Sequence, residues 1–385
     1  MPEKIALYLH IPFCKRKCIY CDFPSFAGKE GCIPDYLSAL TTELQMALGP
    51  NGTAGGRRID TIFFGGGTPS LLSGDEVDLL LRKIREMTVV LSDAEVSLEA
   101  NPGTVTLKKL EKWRTAGVNR LSLGAQCGED RLLKVLGRIH TVRQAEAAFL
   151  LARQAGFDHL NLDLIFGLPG QSPANWEATL KWAADLGPQH LTCYGLQVEE
   201  GTPLAALVAE GSVILPGEDE TRAMYEAAMD YLPAQGYQQY EIASFARPGF
   251  ECRHNLYYWT YHDYLGVGAG ACSTVTGERW ANINLPEEYI RRLQVGESPV
   301  AHGERLDCRQ GMVEMIMLGL RLSKGPNAQE FYERWRVSLE SVLREQAVPL
   351  LEAGFLKFNN GTYILTRSGK ILSNLVLQRL LAPLL

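Results

Sequence analysis

Nowhere in the 385 residues does an apolar run reach the ~18–20 residues that a membrane-spanning helix needs. The apolar C-terminal end, ILSNLVLQRLLAPLL, is broken by Asn374, Gln378, Arg379 and Pro383, so no transmembrane segment is expected. An excess of basic charge is also missing. Thirty-eight Lys and Arg against 44 Asp and Glu leave a formal charge of −6, which argues against nucleic acid or an anionic membrane as a partner. Biased tracts are absent, and 46% apolar with 21% charged residues is the balance of a folded globular chain. An export signal is lacking too: in MPEKIALYLHIPFCK the short alternating apolar stretch is ended by Pro12 and Lys15 and reads as a buried strand, which places the protein in the cytoplasm. Nine cysteines, an odd number without such a signal, disfavour a disulfide framework and point any close cluster to metal or redox use.

What is present is a regular alternation. From residue 5 to about 200, β-rich runs (IALYLHIP, IDTIFFGG, EVSLEAN, RLSLGAQ, HLNLDLIFGL, HLTCYGLQ) alternate with segments of helical period: Tyr36–Leu48, Glu76–Met87, Leu107–Ala116, Glu129–Leu136, Arg143–Ala155 and Trp176–Leu186. This predicts an α/β fold with a mostly parallel sheet covered by helices, either doubly wound or a barrel. Gly49–Gly56 reads as a surface loop. After Gly201-Thr202-Pro203 the pattern loosens into a helix over Glu218–Tyr231, a strand-like segment over Tyr237–Phe245 and an aromatic, Gly-rich region over His254–Ala271. From Leu306 a small α+β domain is expected, with helices near Gln310–Leu322, Ala328–Trp335 and Val337–Ala353 and a hairpin over Leu356–Leu365 turning at Asn359-Asn360-Gly361.

The one close cysteine cluster is CKRKCIYC, with Cys14, Cys18 and Cys21 just after the first strand. Three thiolates on one tight loop can hold three corners of an iron–sulfur cube and leave the fourth iron open; a zinc site would need a fourth ligand, for which Cys32 is the nearest thiol. In FFGGGTPSLL, glycines at a strand end let backbone groups approach a ligand closely. Polar residues recur at later strand ends: Glu99 in SLEANPG, Ser122 and Gln126 in GVNRLSLGAQ, and Asp163 in NLDLIFGLPGQ, with Arg138 in LLKVLGRIH. Each could cap a following helix, but as a series they point to one face of the sheet.

The cysteine spacing followed by the glycine-rich strand end resembles the radical S-adenosylmethionine superfamily. Resemblance to its oxygen-independent coproporphyrinogen oxidase branch covers nearly the whole chain, including CYGLQVEEGTP and EMIMLGLRLSKG. It implies a partial (β/α)6 TIM-type barrel over 1–235, a barrel-closing extension over 236–305, and a winged-helix-like domain over 306–385. It further implies a [4Fe–4S] cluster on Cys14, Cys18 and Cys21, and S-adenosylmethionine at Tyr8, Gly66, Gly67, Thr68, Glu99, Gln126, Arg138, Asp163 and Gln197, the last in a role that backbone can also fill.

Within the branch the decarboxylating oxidases carry C-x3-C-x2-C-x-C, whereas this chain has Phe23 at the fourth cysteine position. It has instead His254-Asn255-Leu256-Tyr257-Tyr258-Trp259, the HNxxYW string associated with haem chaperones. That string implies haem as cargo: His254 could ligate iron, Asn255 could orient it, and the rings offer flat faces to a porphyrin. A packed core histidine is the alternative reading of His254, and Cys252 is a rival ligand. The resemblance thus implies delivery of haem to haem-requiring proteins such as respiratory enzymes, with oxidative decarboxylation of coproporphyrinogen III as the enzymatic alternative. Its implied partners are haem, haem-accepting client proteins, a flavodoxin- or ferredoxin-like electron donor and a second copy of the chain. Catalysis stays open at this level, because chaperoning requires binding and release rather than hydrogen abstraction. Cys127, Cys193 and Cys272 read as packing residues at strand ends, Cys308 has no partner at ligand spacing, and His10 reads as a hydrogen-bonding support for the cysteine loop.

Overall fold

The computed structural model describes residues 3–384. Strand β1 (Lys4–Ile11) is apolar almost throughout because both its faces are covered. It leads into the cysteine loop, which is tied at its base by a two-residue parallel pair, β2 (Phe13–Cys14) with β3 (Phe26–Ala27). Helix α1 (Ile33–Leu48) then returns the chain to β4 (Arg58–Gly66). The βα alternation continues through α2 (Gly74–Met87), β5 (Val90–Ala100), α3 (Leu107–Ala116), β6 (Arg120–Gln126), α4 (Asp130–Val135), α5 (Val142–Gln154), β7 (His159–Phe166), α6 (Pro173–Asp185) and β8 (His190–Gly195). Local chemistry sets several helix starts: Ser73 with Glu76, Thr141 with Gln144 and Ser172 with Asn175 each satisfy two otherwise unpaired amides reciprocally.

After α7 (Pro203–Ala209) and α8 (Glu218–Ala234), the expected strand over Tyr237–Phe245 is two short strands, β9 (Gln238–Gln239) and β10 (Ser244–Ala246). The expected Gly-rich region holds helix α9 (Arg253–Trp259) and strand β11 (Tyr264–Val267), and three further strands follow: β12 (Cys272–Val275), β13 (Glu278–Asn282) and β14 (Val300–Arg305). Helix α10 (Pro286–Gln294) lies between the last two and packs on α1.

All twelve longer-range strands join one sheet in the order β14-β13-β12-β11-β1-β4-β5-β6-β7-β8-β10-β9. Strands β1 and β4 to β8 pair in parallel, β11 runs parallel to β1, and the outer strands pair antiparallel. The fold is therefore α/β, an open partial barrel whose edge strands β14 and β9 do not pair with each other. Residues 236–305 contribute strands to both edges of that sheet.

The main core lies between sheet and helices and includes Leu7, Leu9, Phe64, Trp113, Phe149 and Trp176. A second core is built mostly from residues beyond 312, with Val313, Ile316, Phe331, Leu343 and Leu380 packed around Tyr261. Its elements are α11 (Cys308–Gly319), α12 (Ala328–Trp335), α13 (Leu339–Glu352), the hairpin β15 (Leu356–Asn359) and β16 (Thr362–Leu365), α14 (Arg367–Ile371) and α15 (Ser373–Leu381). Asn360 and Gly361 turn that hairpin with positive φ, 48° and 79°, as a two-residue Asn-Gly loop requires. Among the described residues no helix is long and apolar enough to cross a membrane.

Candidate functional site

In a parallel sheet every strand delivers its C-terminal end to the same side, and here those ends surround a cavity of about 480 Å³. Cys14, Cys18 and Cys21 line it together with Gly66, Gly67, Thr68, Glu99, Gln126, Arg138, Asp163 and Gln197. Tyr8 does not line it: its phenol donates to His10 Nδ1 at 3.1 Å and its ring packs against Phe63 and His254.

Backbone bonds clasp the cysteine loop to the glycine loop. Gly67 N–H donates to Ile11 at 2.9 Å and Thr68 N–H to Phe13 at 2.8 Å. His10 supports the cysteine loop from below. The Pro24 carbonyl can only accept, so His10 Nε2–H donates to it at 2.9 Å and Nδ1 takes the Tyr8 proton. Gly66 makes this possible: its φ is +107°, and a Cβ there would stand 2.5 Å from the His10 ring.

Each thiol has a side-chain donor beside it. Thr68 Oγ1 donates to Cys14 Sγ at 3.4 Å, Arg138 Nη1 donates to Cys18 Sγ at 3.4 Å, and Ser25 Oγ lies 4.0 Å from Cys21 Sγ. Among the described residues no three His, Cys, Asp or Glu are gathered tightly enough for a single metal ion. A cube differs in binding each thiolate to a separate iron, so three thiols spread around one cavity wall fit it in donor chemistry. Arg138 brings a guanidinium to the wall, with Nη1 on Cys18 and Nη2 on the Gly124 carbonyl, while its Nε is buried without a partner. Gln126 holds a left-handed φ of +67° at the strand end, strain of the kind that accumulates at ligand sites.

Two carboxylates set the electrostatics of the far wall. Burial, and then the charge of Asp163, push Glu99 up to about 8. Burial raises Asp163 as well, partly offset by Ser122 donating at 2.7 Å and Asn161 at 2.9 Å. Such a wall favours a cationic ligand, which would let both groups ionise. These residues therefore fit a sulfonium or ammonium group on one side and an iron–sulfur cluster on the other.

Beneath the cavity lies a polar interior that the sequence motifs did not reveal. Asn161 Oδ1 receives His190 Nδ1 at 2.6 Å, His190 Nε2 meets the Tyr240 hydroxyl at 2.8 Å, and that hydroxyl accepts the Cys252 amide at 3.3 Å. Glu95 closes the series by accepting from the amides of Arg253 and His254 at the start of α9. Burial alone would raise the Glu95 carboxyl, but Arg120 and those two amides hold it below the usual range. Tyr20, which lines the cavity between Cys18 and Cys21, was also missed, although its place inside the cysteine spacing was a usable signal.

His254 lies in this interior, fully buried. Nδ1 bonds Thr61 Oγ1 at 2.8 Å and Nε2 bonds the Tyr258 hydroxyl at 2.8 Å, so neither ring nitrogen is available to iron in this arrangement. Burial drives its pKa down to about 3. Cys252 is equally buried, its thiol pushed up to about 12 by burial and held 3.5 Å from Glu95. Of the cysteines expected to pack, Cys127 and Cys193 are buried, but Cys272, on β12, is exposed.

Comparison with known proteins agrees with this geometry. The radical SAM superfamily model matches residues 8–183, and the HemN C-terminal domain model matches residues 306–372. Heme chaperone HemW of Bacillus subtilis is 35% identical over 98% of this chain and 100% of its own length. Heme chaperone HemW of Escherichia coli is 37% identical over 98% of each chain. The solved structure of the E. coli radical SAM enzyme coproporphyrinogen III oxidase, HemN, shares the fold with a TM-score of 0.84 at 23% identity, covering 98% of this chain and 90% of its own. With full-length relatives above 30% identity and a thiol-lined cavity at the strand ends, the chain belongs to the HemW family of the radical SAM superfamily.

Proposed function

We propose that the protein binds haem and passes it to haem-requiring client proteins, using a [4Fe–4S] cluster and S-adenosylmethionine in the cavity at the strand ends. The observation that carries this is the full-length similarity to proteins named Heme chaperone HemW, joined to three thiols and a polar series on one cavity wall. Cys14, Cys18 and Cys21 would hold the irons, while Thr68, Arg138 and Ser25 place hydrogen-bond donors at the sulfurs and so favour added negative charge there. When bound, the cluster supplies one electron and S-adenosylmethionine a sulfonium that this electron can cleave. Glu99 and Asp163 would face the cationic part of that molecule, the positive charge of Arg138 would attract its carboxylate, and the Gly66-Gly67 backbone would meet its amino end.

Phe23, 61% exposed at the cavity mouth, stands where the decarboxylating branch has a fourth cysteine, and this favours chaperoning over decarboxylation. The same proposal places the protein in the reducing cytoplasm, where its cysteines stay unpaired, with a flavodoxin- or ferredoxin-like electron donor. The test is an anaerobic assay of cluster-loaded protein with reductant and S-adenosylmethionine, run in parallel with haemin and with coproporphyrinogen III. Stoichiometric haem binding without decarboxylated product is expected. Catalytic turnover of coproporphyrinogen would replace this reading with the oxidase.

A further inference from the structure

Glu43, on the inner face of α1, is a buried carboxylate with no part in the cavity described above. Among the described residues its partners are three uncharged donors: the Gly268 amide at 2.7 Å, Asn282 Nδ2 at 2.6 Å and the Tyr289 hydroxyl. No cation is among them, and burial, only partly offset by those donors, lifts the carboxyl up to about 7. Asn282 uses its amide nitrogen twice here, on Glu43 and on the Gly268 carbonyl at 3.0 Å, and its Oδ1 is left buried without a partner. An apolar cluster of the same shape would be the more stable packing. Groups that break this rule are kept where they fix a geometry.

The geometry fixed here is that of the turn from Gly268 to Ala271, which joins β11 to β12. The turn lies against the base of the cysteine loop. A Cβ on Gly268 would stand 2.6 Å from the His10 carbonyl oxygen, and one on Gly270 would stand 2.8 Å from Pro24 Cβ. Both glycines hold left-handed φ, +108° and +81°. Every amide of the turn is held: Gly268 N–H by Glu43, Ala269 N–H by the Tyr36 hydroxyl at 2.8 Å, Gly270 N–H by the Ile283 carbonyl at 2.9 Å, and Ala271 N–H by the Gly268 carbonyl at 3.1 Å. Tyr36 gives its own proton to the His10 carbonyl at 2.8 Å, and its ring meets Phe13, where the loop begins, edge-on with centroids 5.1 Å apart. Tyr36 and Glu43 share one face of α1, two turns apart, and between them grip the turn that backs both His10 and Pro24.

We propose that Glu43 is a positioning residue for the cysteine loop: by fastening the Gly268–Ala271 turn to α1, β13 and α10, it sets where His10 and Pro24 hold the three thiols. The proposal rests on the cluster reading above and goes beyond it, since it gives residues 264–305 a role other than extending the sheet. That role needs a side chain that only accepts. Glutamine has the same shape, but its –NH2 would face either Asn282 Nδ2 or the Gly268 amide and the Tyr289 hydroxyl, donor against donor.

The test compares Glu43→Gln with Tyr36→Phe, which keeps the ring but cuts the bond to His10, and with Leu343→Ala in the second core as a control for general destabilisation. Hydrogen exchange of the ligand-free chain, read by mass spectrometry, should quicken about tenfold in peptides covering 12–28 and 266–271 in both variants, and stay as in wild type there in the control. After anaerobic reconstitution both variants should lose iron to a chelator severalfold faster and show altered g values for the reduced cluster by electron paramagnetic resonance. The control should keep the wild-type g values. Wild-type exchange over 12–28 in Glu43→Gln, or an equal rise there in the control, would overturn the proposal. If Glu43→Gln does not fold, Tyr289→Phe, which removes one of the three donors, is expected to show the same pattern more weakly, and wild-type exchange in it and in Tyr36→Phe would overturn the proposal equally. Failure of the wild-type chain to take up iron would remove the cluster reading, while the exchange data would still decide whether Glu43 holds the loop.

Discussion

Arg138, 120 residues along the chain from Cys18, donates to its sulfur at 3.4 Å while its second amino group holds the Gly124 carbonyl at 2.8 Å. The guanidinium thus ties the cysteine loop to the end of β6. A donor at a cluster sulfur stabilises the reduced, more negative state. If that bond contributes about 1 kcal/mol, its loss corresponds to about 40 mV for one electron. Arg138→Met is expected to lower the cluster midpoint potential by that order, as read by redox titration of anaerobically reconstituted protein, with iron content maintained.

Cys14→Ala, Cys18→Ala and Cys21→Ala should each remove most of the iron and sulfide taken up on reconstitution. Cys32→Ala is the control, since Cys32 is not part of the cavity wall and should leave both contents unchanged. Equal loss in the control would favour a four-thiol site instead.

Glu99 carries a pH dependence whose sign follows from its pKa of about 8 in the folded protein, set by burial and Asp163, against about 4.3 for a free glutamate. The folded state keeps the proton longer than the unfolded chain. The stabilisation this gives is complete below the unfolded value and is lost as pH rises toward 8. Glu99→Gln has no such loss, so the ligand-free variant should gain several degrees of Tm over wild type at pH 9, with little difference at pH 4, by scanning calorimetry. The same change should weaken S-adenosylmethionine binding about tenfold.

Gly66→Ala sets a Cβ against the His10 ring in a left-handed backbone conformation. Relief requires His10 to leave the Pro24 carbonyl, and the cysteine loop loses its support. A drop in Tm of a few degrees is expected, together with faster loss of iron from the reconstituted protein under chelator challenge.

Much of the scaffold was readable before the structure. The helices expected over Leu107–Ala116 and Ala328–Trp335 and the strand RLSLGAQ have those same bounds in the folded chain, because each is a strongly patterned run with a clear stop such as Gly117. The antiparallel edge was not readable. Strand β14 is exposed along nearly its whole length, so it has no alternation to detect, and β9 and β10 are too short to show a period.

The sequence by itself determined the chemistry available: three thiols on one loop, a glycine-rich strand end, and polar residues at successive strand ends that a parallel sheet must gather on one side. Only the tertiary structure decided which way the HNxxYW segment faces. Its seven-residue helix makes about two turns, too few for periodicity to identify a buried side. Glu95 fixes its first turn from 159 residues away, Thr61 and Tyr258 occupy both nitrogens of His254, and the opposite face is left to line a second cavity with His262. Those contacts join β4, β5 and α9, and they exist only once the sheet has formed beneath the helix.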